Sequence, residues 1–131
     1  MAARLSADER ALFEAPSYGV LATYWPDGTA QVTPVWVDLE DDTVIVNTAE
    51  GRVKVRNLRR DPRATVTVMD REDWERWASV RGRVVEITTD GALEQADRVS
   101  RKYTGHDFRQ LTPGEVRLRM LIEPESVTSR L

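Results

Sequence analysis

The chain has 131 residues, 40% of them hydrophobic, which suits one domain with a real core and leaves no room for a second. Its 19 Lys and Arg against 22 Asp and Glu give a formal net charge of -3, against the large basic excess of a general nucleic-acid binder. There is no cysteine, and His106 is the single histidine, so disulfides, thiolate metal sites, cysteine nucleophiles and multi-histidine zinc sites are excluded.

No apolar run approaches the length of a membrane span, and the first residues lack the basic and apolar blocks of a signal peptide, so a cytoplasmic location is the default expectation. Ser6 to Ala15 reads as a short helix within a 1–16 segment packed on the domain. Ser6 is its N-cap, Glu9 completes a capping box and Pro16 ends it. Tyr18 to Trp25 is rich in strand formers and leads into a turn with Pro26 and Gly28. The next strand, Ala30 to Leu39, sets Val32, Pro34, Trp36 and Asp38 on one side and Gln31, Thr33, Val35, Val37 and Leu39 on the other. Pro34 cannot donate a ladder hydrogen bond, which assigns it to an edge or bulge. Glu40 to Asp42 turns the chain into a third strand, Thr43 to Thr48.

The stretch TAEGRVKVRNLRRDPR, Thr48 to Arg63, carries the most information. A strand ends at small residues and Gly51, and a helix is predicted to begin there with Arg52 and Lys54 in its first turn. The first N–H groups of a helix lack internal partners and sit at the positive end of its dipole, so this junction favours phosphate or carboxylate. Six of the 19 Lys and Arg lie between Arg52 and Arg63. Arg56, Arg59, Arg60 and Arg63 continue the stripe at spacings of three and four, as a solvated face or as further ligand contacts. Val55 and Leu58 face a core, and Asp61-Pro62 stops the helix.

Ala64 to Asp70 is a fourth strand. Trp74 to Thr88 makes one long strand or two, with Gly82 as a bulge or bend. Asp90 to Tyr103 has helical spacing at Leu93, Ala96, Val99 or Ser100, and Tyr103. A loop over Thr104 to Glu115 carries His106, either a surface histidine or part of an entrance. Val116 to Ile122 alternates as a last strand that Pro124 is expected to break, leaving Ser126 to Leu131 as a tail or a further strand. Six strands with short hairpins and flanking helices describe a mainly β chain closing into a small antiparallel barrel. No GxGxxG turn supports a Rossmann fold. Of the tryptophans, Trp36 is expected to fill the barrel. Trp74 and Trp77, three apart, would point to opposite faces, so one is exposed unless a ligand or partner covers it.

The succession YGVLATYWPDGTAQVTPVWV, VIVNTAEGRVKVRNLRRDPRATVTV, VRGRVVEI and YTGHDF resembles the split β-barrel flavin and deazaflavin oxidoreductases related to pyridoxamine 5'-phosphate oxidase, nearest to the branch that binds coenzyme F-420. The most specific part is R-x-K-x-x-N-L-x-x-D-P-R, Arg52 to Arg63. The resemblance implies a six-stranded split barrel that forms a homodimer, with two cofactor sites at the subunit interface. It implies that Arg52 and Lys54 hold the cofactor phosphate and tail carboxylates, and that Asn57 bonds the phosphate or pins the loop. Backbone groups of Thr33, Pro34, Val35 and Trp36, and of Asn47, Thr48 and Ala49, would line the ring, with Trp77 and Ala78 of the partner subunit covering it. Hydride chemistry of this kind asks little of side chains, which agrees with a chain that has no cysteine and a single histidine.

The resemblance implies three functions, an F-420-dependent oxidoreductase acting on an unsaturated or quinone-like acceptor, a non-catalytic carrier of the same coenzyme, and an FMN-dependent oxidase or reductase, and the basic residues themselves allow a fourth, a nucleic-acid-binding module using the Arg56 to Arg63 face. The arginine stripe favours the longer, more anionic coenzyme F-420, and the acidic balance disfavours nucleic acid. The acceptor itself is not readable from the sequence.

Overall fold

In the computed structural model, which describes residues 3–131, the two halves of the capping box are formed: Ser6 Oγ accepts from the Glu9 N–H at 3.1 Å and Glu9 Oε1 accepts from the Ser6 N–H at 2.8 Å. Helix α1 runs Ala7–Glu14 and docks through Leu12 and Phe13. The first two residues of the expected 1–16 segment lie outside the described range.

Seven antiparallel strands follow: β1 Tyr18–Tyr24, β2 Ala30–Val35, β3 Asp38–Glu40, β4 Thr43–Ala49, β5 Arg63–Met69, β6 Trp77–Thr88 and β7 Arg117–Arg130, in the order β2-β1-β5-β6-β7-β4-β3. The expected count was six. The extra strand arises because the single run Ala30 to Leu39 divides at Trp36 and Val37: its first half pairs with β1 and its second with β4. One stretch of chain therefore borders both ends of the sheet. Two residues of backbone span only about 7 Å, so the sheet must curl until its edges nearly meet without pairing, which makes the barrel a split one. Pro34 lies on β2, at the sheet edge, where a missing N–H costs no ladder bond on the outer side.

The fully buried interior is aliphatic apart from Phe13, with Leu21, Val44, Val46, Val66, Val68, Val80, Met120 and Ile122 meeting there. Helix α2, Val53–Arg60, contributes Val55 and Leu58. An eight-residue helix is marginal in water. Burying these two side chains supplies about 1.5–3 kcal/mol each and fixes the helix against the barrel.

Pro124 does not end the last strand. β7 continues through it because the β6–β7 register shifts at Arg81/Gly82, placing Gly82 opposite Pro124. Gly82 is the bulge expected, and its lack of a side chain is essential: a Cβ would lie 2.1 Å from the Glu123 carbonyl oxygen. The third helix, α3 Ala92–Thr104, buries Ala92, Gln95, Ala96, Val99 and Ser100, while Leu93 is exposed. Ala96, Val99 and Ser100 face inward as their spacing indicates, and Leu93 is the exception, because Ala92 and the polar Gln95 occupy the core-facing positions of the first turn. The Gln95 amide accepts from Asn47 Nδ2 at 2.7 Å.

The outer face of the sheet has its own character. Alternate residues of β1, β2, β5 and β6 point away from the barrel: Tyr18, Val20 and Ala22, Val32 and Pro34, Thr65, Thr67 and Met69, and Trp77 and Ser79. Tyr18 is 56% exposed and Val32 59%, so large apolar surface faces outward across the first hairpin.

Candidate functional site

β4 ends at Ala49, and Gly51 at φ 95 makes the turn that only glycine adopts easily. Arg52 follows in an extended conformation as the N-cap of α2, one position before the first turn in which it was expected. Its side chain makes no capping bond, and the first turn holds no acidic residue. The helix start therefore keeps open N–H groups at the positive end of its dipole.

The rest of the basic stripe is engaged within the chain. Arg56 donates to the Gly51 carbonyl at 3.3 Å, Arg59 pairs with Glu50 at 2.7 Å, and Arg60 donates to the Tyr24 carbonyl and to Asn57 Oδ1. Arg63 pairs with Asp61 at 2.7 Å and lies 4.5 Å from the Tyr24 ring centroid. These contacts account for the stripe within the chain, so it no longer argues by itself for a long anionic tail.

A cavity of about 660 Å³ opens beside the helix start, within the range of small-molecule sites. Of the residues anticipated, Pro34, Val35, Trp36, Asn47, Thr48, Arg52 and Lys54 line it. The others lie elsewhere. Thr33 faces inward, its hydroxyl buried and unpartnered. Ala49 is buried opposite Arg117. Asn57 is buried, donating to the Thr23 hydroxyl at 3.1 Å, and so pins the helix to β1. Ala78 is fully buried, and Trp77 stands on the outer face of β6 opposite Met69 and Arg130.

Tyr18, Arg71, Tyr103 and Arg117 also line the cavity and were not anticipated there, and Phe108 reaches it from the loop that follows Thr104. Trp36 does not fill the barrel: it is 38% exposed, stacks on Tyr103 at 5.6 Å between centroids and meets the edge of Phe108 at 6.5 Å. The Tyr103 hydroxyl donates to the Ser17 carbonyl at 2.8 Å and accepts from the Val37 N–H at 3.2 Å, and burial raises its pKa. With both functions occupied, this phenol is a strut rather than a proton donor. Beside it, Lys102 donates to the carbonyls of Phe13 at 2.8 Å and Val37 at 2.5 Å, and burial lowers its pKa to about 8.

Arg117 is held on the far side by Asn47 Oδ1 at 2.9 Å and Glu115 at 2.8 Å. Glu115 also accepts from Arg109 and the Thr112 N–H, and these contacts, Arg109 foremost, keep its carboxyl far below the usual range. The 105–116 loop is thus gathered onto one carboxylate, which fixes Phe108 between the guanidinium groups of Arg109 and Arg117.

The electrostatics of the cavity are one-sided. No Asp or Glu lines it. Among the described residues, Arg52, Lys54 and Arg71 have no carboxylate within ion-pair distance. Burial lowers the Lys54 pKa first, with the charges of Arg52 and Arg117 adding to it. An uncompensated, half-buried ammonium is unfavourable by itself and is relieved by an anion. No group of three metal-ligating side chains occurs among the described residues, and the cavity offers neither a histidine nor a free carboxylate for general base catalysis. The arrangement suits a planar ring against Trp36 and a phosphate or carboxylate at the helix start.

Comparison with known proteins agrees with this geometry. A model of the family described as pyridoxamine 5'-phosphate oxidase matches residues 5–130. A solved structure called an F-420 reductase is 26% identical, with a TM-score of 0.83 over 95% of this chain and 98% of that one. The conserved hypothetical protein Rv2991 of Mycobacterium tuberculosis is also 26% identical, with a TM-score of 0.77 over 98% and 85%. General stress protein 26 of Bacillus anthracis, at 18% identity and a TM-score of 0.71 over 93% and 90%, shares the fold.

Proposed function

The chain belongs to the pyridoxamine 5'-phosphate oxidase family, and on that premise we propose that it is an oxidoreductase that moves hydride from reduced coenzyme F-420 to a small unsaturated or quinone-like acceptor. The observation that carries this reading is the set of three cations without carboxylate partners around one cavity walled by Trp36 and Tyr103. The similarity to a protein called an F-420 reductase supports the choice of coenzyme.

Arg52, Lys54 and the open N–H groups of α2 hold the anionic end of the coenzyme. Backbone groups from Pro34 to Trp36 and at Thr48 position the ring. When bound, the coenzyme would supply the hydride, and a proton from solvent would complete reduction of the acceptor. Trp36, Tyr103 and Phe108 keep water from that side of the ring.

The outer sheet face supports a homodimer. Tyr18, Val20 and Pro34 belong both to that face and to the cavity rim, so a second copy seated there would close the cavity. Trp77 of the partner subunit would then meet the ring edge, while Ala78 could contribute backbone groups only. No helix among the described residues is long and apolar enough to cross a membrane, and we place the protein in the cytoplasm.

FMN remains the second reading, because the engagement of Arg56, Arg59, Arg60 and Arg63 within the chain removes the main reason to require a longer anion. Titration of the purified protein with each molecule, followed by tryptophan fluorescence, separates the two. Tighter binding of coenzyme F-420 and loss of its reduced-state absorbance with an enone panel are expected. Preferential binding of FMN would overturn the coenzyme assignment, and binding without turnover on any acceptor would make the protein a carrier.

A further inference from the structure

The positive charge of the cavity is divided between two places. Arg52, Lys54 and Arg117 form one group, near enough to influence one another's ionisation. Arg71 belongs to the other: it lies 5.4 Å from the Tyr18 ring centroid and near Tyr103, on the turn between β5 and β6. It is flanked by acidic residues that do not hold it. Asp70 accepts from the Glu72 and Asp73 N–H groups and lies 3.7 Å from Arg76, and Asp73 accepts from the Glu75 N–H. The guanidinium rests instead on an aromatic face at the cavity, which orients it without neutralising it.

Other polar groups at that end are satisfied. Ser17 Oγ donates to the Leu12 carbonyl at 2.7 Å, and the Tyr103 hydroxyl is occupied on both sides. Among the described residues, Arg71 and the Tyr18 phenol have no hydrogen-bond partner and are left as donors at the cavity. A planar fork of N–H groups beside aromatic walls is suited to a carboxylate on a flat, conjugated molecule.

We propose that the Arg71 end of the cavity binds a carboxylate carried by the hydride acceptor, so that the acceptors of this protein are conjugated carboxylic acids. This rests on the reading that the Arg52–Lys54 end takes the cofactor anion. Arg71 then fixes the acceptor's orientation on the ring, and neutral analogues bind poorly.

The test is calorimetric titration of cofactor-saturated protein with cinnamate and with the isosteric, uncharged cinnamamide, for wild type, Arg71→Gln and Arg71→Lys. Cinnamate is expected to bind about tenfold or more tighter than cinnamamide to wild type, as a charge-assisted contact requires. Arg71→Gln should remove that preference and Arg71→Lys retain part of it, with cofactor affinity unchanged in both. Equal binding of the two probes to wild type, or no binding of either, would overturn the proposal. So would a preference surviving in Arg71→Gln, or a loss of cofactor affinity in that variant, which would assign Arg71 to the cofactor. If wild type binds neither coenzyme F-420 nor FMN yet shows an Arg71-dependent cinnamate preference without them, the carboxylate site stands and the cofactor reading falls.

Discussion

The Asn57 amide donates to the buried Thr23 hydroxyl at 3.1 Å, and Thr23 in turn donates to Gln31 at 3.2 Å, so α2 is tied to both strands of the first hairpin through one polar chain. The asparagine of the R-x-K-x-x-N-L run therefore holds the helix whose first residues reach the cavity. Its effect on ligand is exerted through position. Asn57→Ala leaves the Thr23 hydroxyl short of a donor and Arg60 short of an acceptor, which should lower stability by about 1–3 kcal/mol in urea unfolding. Affinity for coenzyme F-420 should fall less than in Lys54→Ala. A variant of wild-type stability with lost affinity would show instead that Asn57 contacts the ligand.

The division of the basic run into two classes gives a second prediction. Arg59 and Arg56 are satisfied by Glu50 and the Gly51 carbonyl, whereas Arg52 and Lys54 face the cavity without a carboxylate. Arg59→Ala should leave cofactor affinity within about twofold, while Arg52→Ala and Lys54→Ala should each weaken it about tenfold, less at high salt for the more exposed Arg52. Equal losses across all these variants would mean that the whole face contacts the ligand.

Gly82 supplies a steric prediction. Because a Cβ there would sit 2.1 Å from the Glu123 carbonyl oxygen, and that oxygen is backbone, Gly82→Ala must push β6 and β7 apart at the bulge. A cost of about 1–3 kcal/mol is expected, read as a lower midpoint in thermal or urea unfolding. Gly28→Ala is an informative contrast, since a Cβ there meets nothing within 4 Å and the strain is only that of its φ of +87. Comparable stability of Gly82→Ala and wild type would show that the bulge relaxes freely.

Much of this architecture is legible in the residues because local signals agree with the tertiary outcome. Ser6 and Glu9, the alternation of β1 and β5, and the strand-glycine-helix junction at Gly51 each carry their own geometry. The failures are where a partner distant in sequence decides. Pro124 stays in a strand because Gly82 stands opposite it, Gln95 is buried because Asn47 satisfies it, and Trp36 leaves the core because Tyr103 offers a ring to stack on. Arg71, Phe108 and Arg117 reach the cavity from a turn, a loop and a distant strand, with no spacing between them that a sequence pattern could reveal.

The pH dependence of folding follows from Lys102. Burial lowers its pKa from 10.5 to about 8, so between those values the unfolded chain holds a proton that the folded chain has released. Stability contributed by this group therefore rises with pH across that window, and below about 8 the penalty for the buried charge is fully present. Lys54, also lowered by burial, acts in the same direction, whereas Tyr103, raised above 10.0, opposes it at the upper end. Urea midpoints measured at about pH 7.5 and about pH 9.5 avoid the tyrosine and should increase for the wild type. Lys102→Met leaves the Phe13 and Val37 carbonyls without their donor, so its absolute stability mixes two effects. The change between the two pH values isolates the ionisation, and it should be clearly smaller in the variant. An undiminished rise in Lys102→Met would show that another group titrates in the window and that the Lys102 ammonium is effectively solvated.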